Sequence, residues 1–143
     1  IEQEVKSYQQ RTEVQPQPGI DLLAEDTVLL ALIAENEKDR LELKPEDLLY
    51  IESADNYSNI VFLKEGTISR QLIRASLKRL ETQIAVPYII RCHRSYIVNI
   101  RQAKDVSGNA QGYRIGFKPA GVDPVPVSRN YGKEVLAHLE AMR

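Results

Sequence analysis

Between residues 91 and 95 the chain reads Arg91-Cys92-His93-Arg94-Ser95, which gathers two guanidinium groups, a thiol, an imidazole and a hydroxyl into one short segment. A cysteine next to a histidine invites a nucleophile–base reading. In extended chain, however, neighbouring side chains point to opposite faces, so the pair cannot form the hydrogen bond that such activation needs, and the segment holds no acidic group to orient the imidazole. Cys92 is therefore read as a small buried hydrophobe beneath the segment. What remains is a dense set of hydrogen-bond donors between two apolar runs, Tyr88-Ile89-Ile90 and Tyr96-Ile97-Val98. Such donors suit phosphate oxygens and base edges, which is nucleic-acid chemistry rather than catalysis.

The formal charge of −1 argues at first against that partner, because nucleic-acid binders are usually basic. Its distribution reverses the argument. Residues 1–26 carry two basic and six acidic side chains, whereas residues 64–133 carry thirteen basic and four acidic ones. Local charge makes the field that a partner meets. Cys92 is the sole cysteine, so there is no disulfide framework within the chain, and with only His93 and His138 beside it four good metal ligands cannot be assembled. No metal, organic cofactor or small-molecule substrate is expected, and no enzymatic activity. No run of eighteen apolar residues is present. The start at Ile1, without methionine or a leader pattern, fits either an excised fragment or a C-terminal piece of a longer protein.

These groups need elements to hold them. Residues 1–26 read as a linker or extension: Ile1, Val5 and Tyr8 fit either the tail of a coupling helix or a disordered segment, and Gln15-Pro16-Gln17-Pro18-Gly19 breaks it. Residues 27–143 read as one domain. Apolar and alternating runs at 28–33 and 40–44 suggest a hairpin, Pro45-Glu46-Asp47-Leu48 a single helical turn, and Leu49-Tyr50-Ile51 and Ile60-Val61-Phe62-Leu63 strands flanking a polar loop from Ser53 to Asn59. Lys64-Glu65-Gly66-Thr67 reads as a hairpin turn. Ile73, Leu77, Leu80 and Ile84 share one face of a helix expected over 72–85, with Arg70, Arg74 and Lys78 as a stripe that is read mainly as solvated. Strands are expected at 88–90, 96–100, 103–106 and 113–117, then a Pro-rich piece from Pro119 to Pro126 and a short helix over 131–142. The sum is a mainly-β domain of open, packed antiparallel sheets with one internal helix and a short C-terminal helix.

With no helix-turn-helix spacing, the reading elements must be loops at strand ends. Arg94 and Arg129 are the candidates for base contacts, because a guanidinium can donate two parallel hydrogen bonds to guanine O6 and N7. Asn56 and Ser58 are further candidates, Asn56 for adenine and Ser58 for a base or a phosphate, although Asp55 and Asn56 equally favour a plain turn and Tyr57 a half-buried place. Arg91, His93, Ser95, Tyr57, Asn130 and Lys133 are read as phosphate contacts, which position without reading sequence.

Three separated motifs, Glu52-Ser53-Ala54-Asp55-Asn56-Tyr57, Arg91 to Asn99, and Pro126-Val127-Ser128-Arg129-Asn130-Tyr131, stand in an order that resembles the LytTR family over roughly Leu29 to the C-terminus. Those are the DNA-binding output domains of bacterial transcriptional regulators. The resemblance implies loops inserted into successive major grooves, Arg94 and Arg129 facing bases, direct-repeat promoter sites, and dimerisation or tandem occupancy on the DNA. It also implies a cytoplasmic domain following an N-terminal receiver or a membrane sensor segment, as in a response regulator of a two-component system. The rival reading is a protein-interaction module whose basic face docks an acidic partner. RNA binding is disfavoured, since no aromatic pair has the spacing of a base-stacking sheet.

Overall fold

The structure is a computed structural model that describes residues 29–109 and 112–141. The expected linker over 1–26 lies outside the described residues. In chain order the elements are β1 (Leu30–Ile33), β2 (Arg40–Leu43), β3 (Leu48–Ala54), β4 (Tyr57–Lys64), β5 (Thr67–Ile73), α1 (Leu77–Gln83), β6 (Ile89–His93), β7 (Tyr96–Asn99), β8 (Ala103–Asn109), β9 (Gly112–Phe117), β10 (Val125–Val127) and α2 (Arg129–Ala141). Short 3-10 turns lie at Pro45–Asp47 and Ile100–Gln102. All pairing is antiparallel, in a β1–β2 hairpin, a five-stranded sheet of order β5-β4-β3-β7-β6, and a three-stranded sheet of order β10-β9-β8. Among the described residues the domain is mainly β, with open sheets and two α-helices.

The central strands β3, β4 and β7 are buried on both faces, which is why they carry unbroken apolar runs instead of alternating ones, whereas the edge strand β5 is largely exposed. On one face Leu48, Ile51, Ile60 and Ile97 form a core with Leu30, Leu32 and Leu80 of the hairpin and α1. On the other, Leu49, Tyr50, Val61 and Val98 meet Ile115, Val125, Val127 and Val135 of the three-stranded sheet and α2. Helix α1 also grips the end of β1. Arg79 donates from Nε to the Ile33 carbonyl at 3.1 Å and from Nη2 to the Ala34 carbonyl at 2.9 Å, while Gln83 Oε1 accepts from the Ile33 N–H at 2.8 Å.

The structure departs from the sequence pattern in three places. The helix expected over 72–85 is shortened to α1, because β5 continues to Ile73, which pairs with Ser58 and is buried, and the Ser76 side chain caps α1 by accepting from the Arg79 N–H at 3.1 Å. Ladder bonds and burial here override a helical period that had counted Ile73 on its face. The expected stripe dissolves accordingly: Arg70 lies on β5, Arg74 in the link and Lys78 on α1. Second, the polar loop from Ser53 to Asn59 is only a two-residue turn, Asp55-Asn56, between long strands, with Asp55 at a φ of 57°. Third, the Pro-rich piece contains β10, whose Pro126 lies opposite Arg114; proline is tolerated because β10 is an edge strand.

Asn99 holds the junction between β7 and the chain before β3. It is fully buried, and its Nδ2 donates to the carbonyls of Leu48 at 2.8 Å, Pro45 at 3.2 Å and Glu46 at 3.4 Å, while Oδ1 accepts from the Arg101 N–H at 2.9 Å. Removing the amide takes the side-chain partner from the Arg101 N–H and from the buried Leu48 carbonyl, whereas the Glu46 carbonyl keeps Gln102 Nε2 and the Pro45 carbonyl keeps the Leu48 N–H. Asn99→Ala is expected to lower stability by about 2–3 kcal/mol in urea denaturation, and a loss within the error of the measurement would show the amide to be replaceable.

Candidate nucleic-acid interface

The polar segments separated in sequence meet at one end of the five-stranded sheet. Strand β3 runs beside β7, so that the Asp55-Asn56 turn at the end of β3 and the Arg94-Ser95 turn before β7 lie at the same edge; the Ser53 N–H donates to the Ser95 carbonyl at 2.9 Å. The head of α2 joins them through the Ser128 N–H, which donates to the Cys92 carbonyl at 3.1 Å. Cys92 can accept this bond because it is the extra residue of a bulge: Arg91 pairs with Ile97 and His93 with Tyr96, leaving Cys92 unpaired in the ladder. Arg94 and Arg129 therefore stand two residues and one residue from a shared hydrogen bond.

Arg94 and Arg129 are both exposed, and neither side chain has a hydrogen-bond or ion-pair partner among the described residues. Asn130 and Lys133 are exposed on the first turns of α2, and Asn56 is exposed in its turn. Tyr57 is 42% exposed, with the Arg74 guanidinium 5.8 Å from its ring centroid. Ser95 and His93 are half-buried: the Ser95 N–H donates to His93 Nδ1 at 3.0 Å, which requires that nitrogen to be unprotonated, and the imidazole meets the Tyr96 ring edge-on at 5.6 Å. Tyr96 in turn donates its hydroxyl to Glu52 at 2.8 Å. Burial first, and then that bond to Glu52, push the Tyr96 phenol up to about 12, so it stays a donor at neutral pH and occupies a carboxylate at this end of the sheet.

Two expected contact residues are engaged within the framework in this structure. Ser58 lies inside β4, fully buried, with its hydroxyl donating to the Ala75 carbonyl at 2.7 Å, so it reaches neither base nor phosphate. The reason is the strand itself, which begins at Tyr57 and turns Ser58 inward. Arg91 lies on β6 with its guanidinium turned back on its own chain. It donates to the His93 carbonyl at 2.9 Å and the Arg94 carbonyl at 2.7 Å, and pairs with Glu81 of α1 at 2.9 Å. Conversely, the sequence pattern assigns Arg74 to a solvated stripe and does not single out Arg114. Arg74 reaches this edge only because Ile73 pairs with Ser58. Exposed Arg114 shares a cleft of about 360 Å³ with His93 and Ser128, and only the unforeseen pairing of β9 with β10 brings it there.

Cys92 is wholly buried, with Sγ 3.6 Å from the Pro126 carbonyl and 3.8 Å from that of Tyr96. Burial pushes its thiol up to about 12, against the opposing pull of Arg91. A thiol held protonated far above neutral pH is no nucleophile. Iodoacetamide at pH 8 should leave native Cys92 unmodified over hours and label it within minutes in denaturant, as read by mass spectrometry. Rapid labelling of the native protein would show that this end of the sheet opens.

The LytTr DNA-binding domain model matches residues 38–140, and the chain belongs to that family. A solved LytTr DNA-binding domain, from a Bacillus cereus protein described as a methyl-accepting/DNA response regulator, is similar in structure: the TM-score is 0.57 at 21% identity, covering 78% of this chain and 95% of that one. That likeness shows the fold. Among curated proteins no sequence matches this chain. The domain is thus of a DNA-binding type, and among its described residues no helix is long and apolar enough to cross a membrane.

Proposed function

We propose that this domain binds a specific duplex DNA sequence, as the output part of a bacterial transcriptional regulator acting in the cytoplasm, and does so without catalysis, metal or organic cofactor. The observation that supports this most directly is the pair of unpartnered, exposed guanidinium groups of Arg94 and Arg129 on either side of the Ser128–Cys92 hydrogen bond. In this reading they are the base contacts, each able to fork onto guanine, with Asn56 as a third reader from the neighbouring turn. Tyr57, His93, Ser95, Asn130 and Lys133 hold phosphates and fix the register. The sites are direct repeats occupied by two copies on one face of the duplex, and the input comes from a receiver or membrane sensor segment in the longer protein.

The operator is to be found by selection from a random duplex library. On the selected site Arg129→Ala should cost about 1–3 kcal/mol, with a smaller loss on random duplex, by fluorescence anisotropy. Equal losses on both would demote Arg129 to a phosphate contact. Lys133→Ala should weaken all duplexes alike and reduce the slope of log affinity against log salt by about one; an unchanged slope places Lys133 off the DNA. Arg94→Lys keeps the charge and loses the fork, so it should retain general binding and lose discrimination at one base pair. A variant that keeps the wild-type ranking of every singly substituted site would refute direct readout by Arg94. A wild type that enriches no sequence, and prefers an acidic protein to duplex at low salt, would favour a docking module instead.

A further inference from the structure

Arg91 is only partly exposed and spends its guanidinium on three oxygens: the His93 carbonyl through Nε, the Arg94 carbonyl through Nη2, and Glu81 through Nη1. Both carbonyls belong to the turn that carries Arg94, just past the bulge at Cys92 where regular ladder bonding is interrupted. A two-residue turn next to a bulge has few backbone bonds of its own to fix it. Here the guanidinium supplies them, and His93 adds a second brace by accepting the Ser95 N–H. The anchor at the far end is Glu81 on α1, the helix whose Arg79 and Gln83 also grip the end of β1.

We propose that Arg91, held by Glu81, is a positioning residue for DNA readout: it fixes the Arg94-Ser95 turn so that the Arg94 side chain is presented in one orientation. This rests on the base-reading role given above to Arg94. Flattening the turn by a few tenths of an ångström would leave charge near the phosphates untouched but would misalign a fork that must meet two base atoms at once. The clamp therefore governs selectivity, not general affinity. Lysine cannot replace it, since one ammonium on a flexible stem does not hold two carbonyls and a carboxylate in a plane.

The test uses Arg91→Lys, Arg91→Ala and Glu81→Gln, the last an exposed and structurally mild change, each measured against the selected site and a random duplex. Each hydrogen bond lost is worth roughly two- to tenfold in an equilibrium constant, so the ratio of specific to random affinity should fall by about that factor in Arg91→Lys and in Glu81→Gln. Affinity for random duplex and the salt slope of Arg91→Lys should stay at wild-type values. In the free protein, hydrogen exchange of the Ser95 amide should quicken in these two variants while the midpoint of thermal unfolding moves little. Loss of random-duplex affinity, together with a salt slope lowered by about one in Arg91→Ala, would overturn the proposal and make Arg91 a phosphate contact. A lowered unfolding midpoint with an unchanged affinity ratio would overturn it in favour of a purely structural pair. A wild type without any preferred site would overturn the underlying reading, whereas a selective wild type whose Arg91→Lys variant is equally selective overturns the clamp alone.

Discussion

Burial of the central strands β3, β4 and β7 on both faces is the constraint from which the rest follows. With Leu48, Ile51 and Ile60 committed to one core and Tyr50, Val61 and Val98 to the other, neither face of these strands can present polar groups to a partner. Each of these side chains withdrawn from water is worth about 1.5–3 kcal/mol, far more than any single exposed contact could offset. Polar chemistry is thereby confined to the ends and edges of strands. At one end two turns and a helix start coincide, and that coincidence, rather than any single motif, makes the proposed interface.

The same end shows how backbone irregularity is put to use. A regular β6 would spend the Cys92 carbonyl on β7, but the bulge frees it for Ser128, and this single bond joins the three-stranded sheet and α2 to the edge of the central sheet. Burial of the Cys92 side chain beneath the joint keeps the bulge dry, which strengthens that bond and keeps the thiol inert. A cysteine beside a histidine thus serves geometry, with the imidazole turned away to brace the Ser95 amide.

Much of this was legible in the sequence, and the misses share a cause. The β1–β2 hairpin, the turn at Pro45–Asp47, the strands at 49–51 and 60–63 and the exposed positions of Arg94, Arg129, Asn130 and Lys133 all follow from local pattern and turn chemistry. What failed depends on a distant partner. Ile73 fits a helix face until Ser58 claims it for a ladder, and Ser58 looks like a loop hydroxyl until that same ladder buries it. Val125–Val127 carries a proline and reads as loop until β9 offers it an edge. The inward bonds of Arg91 are hidden for a different reason: nothing in the residue type tells whether a guanidinium points at solvent or at the carbonyls two and three residues ahead.

That last point bears on what a charge count can mean for this surface. Residues 64–133 carry thirteen basic side chains, yet several spend their guanidinium on groups of the protein itself. Arg79 binds the carbonyls of Ile33 and Ala34, Arg91 those of His93 and Arg94, and Arg101 lies 3.9 Å from the Tyr88 ring centroid and pairs with Glu46 at 3.3 Å. Arg91 is also neutralised by Glu81. The field at the proposed interface is therefore set by fewer charges than the sequence advertises, chiefly Arg74, Arg94, Arg114, Arg129 and Lys133, with Glu52 and Asp55 among them. Counterion release scales with phosphates neutralised, so a surface of this kind gains less from diffuse attraction than its composition implies. It must rely correspondingly more on how well a few side chains are aimed, and aiming is what the bulge, the His93 brace and the Arg91 clamp supply.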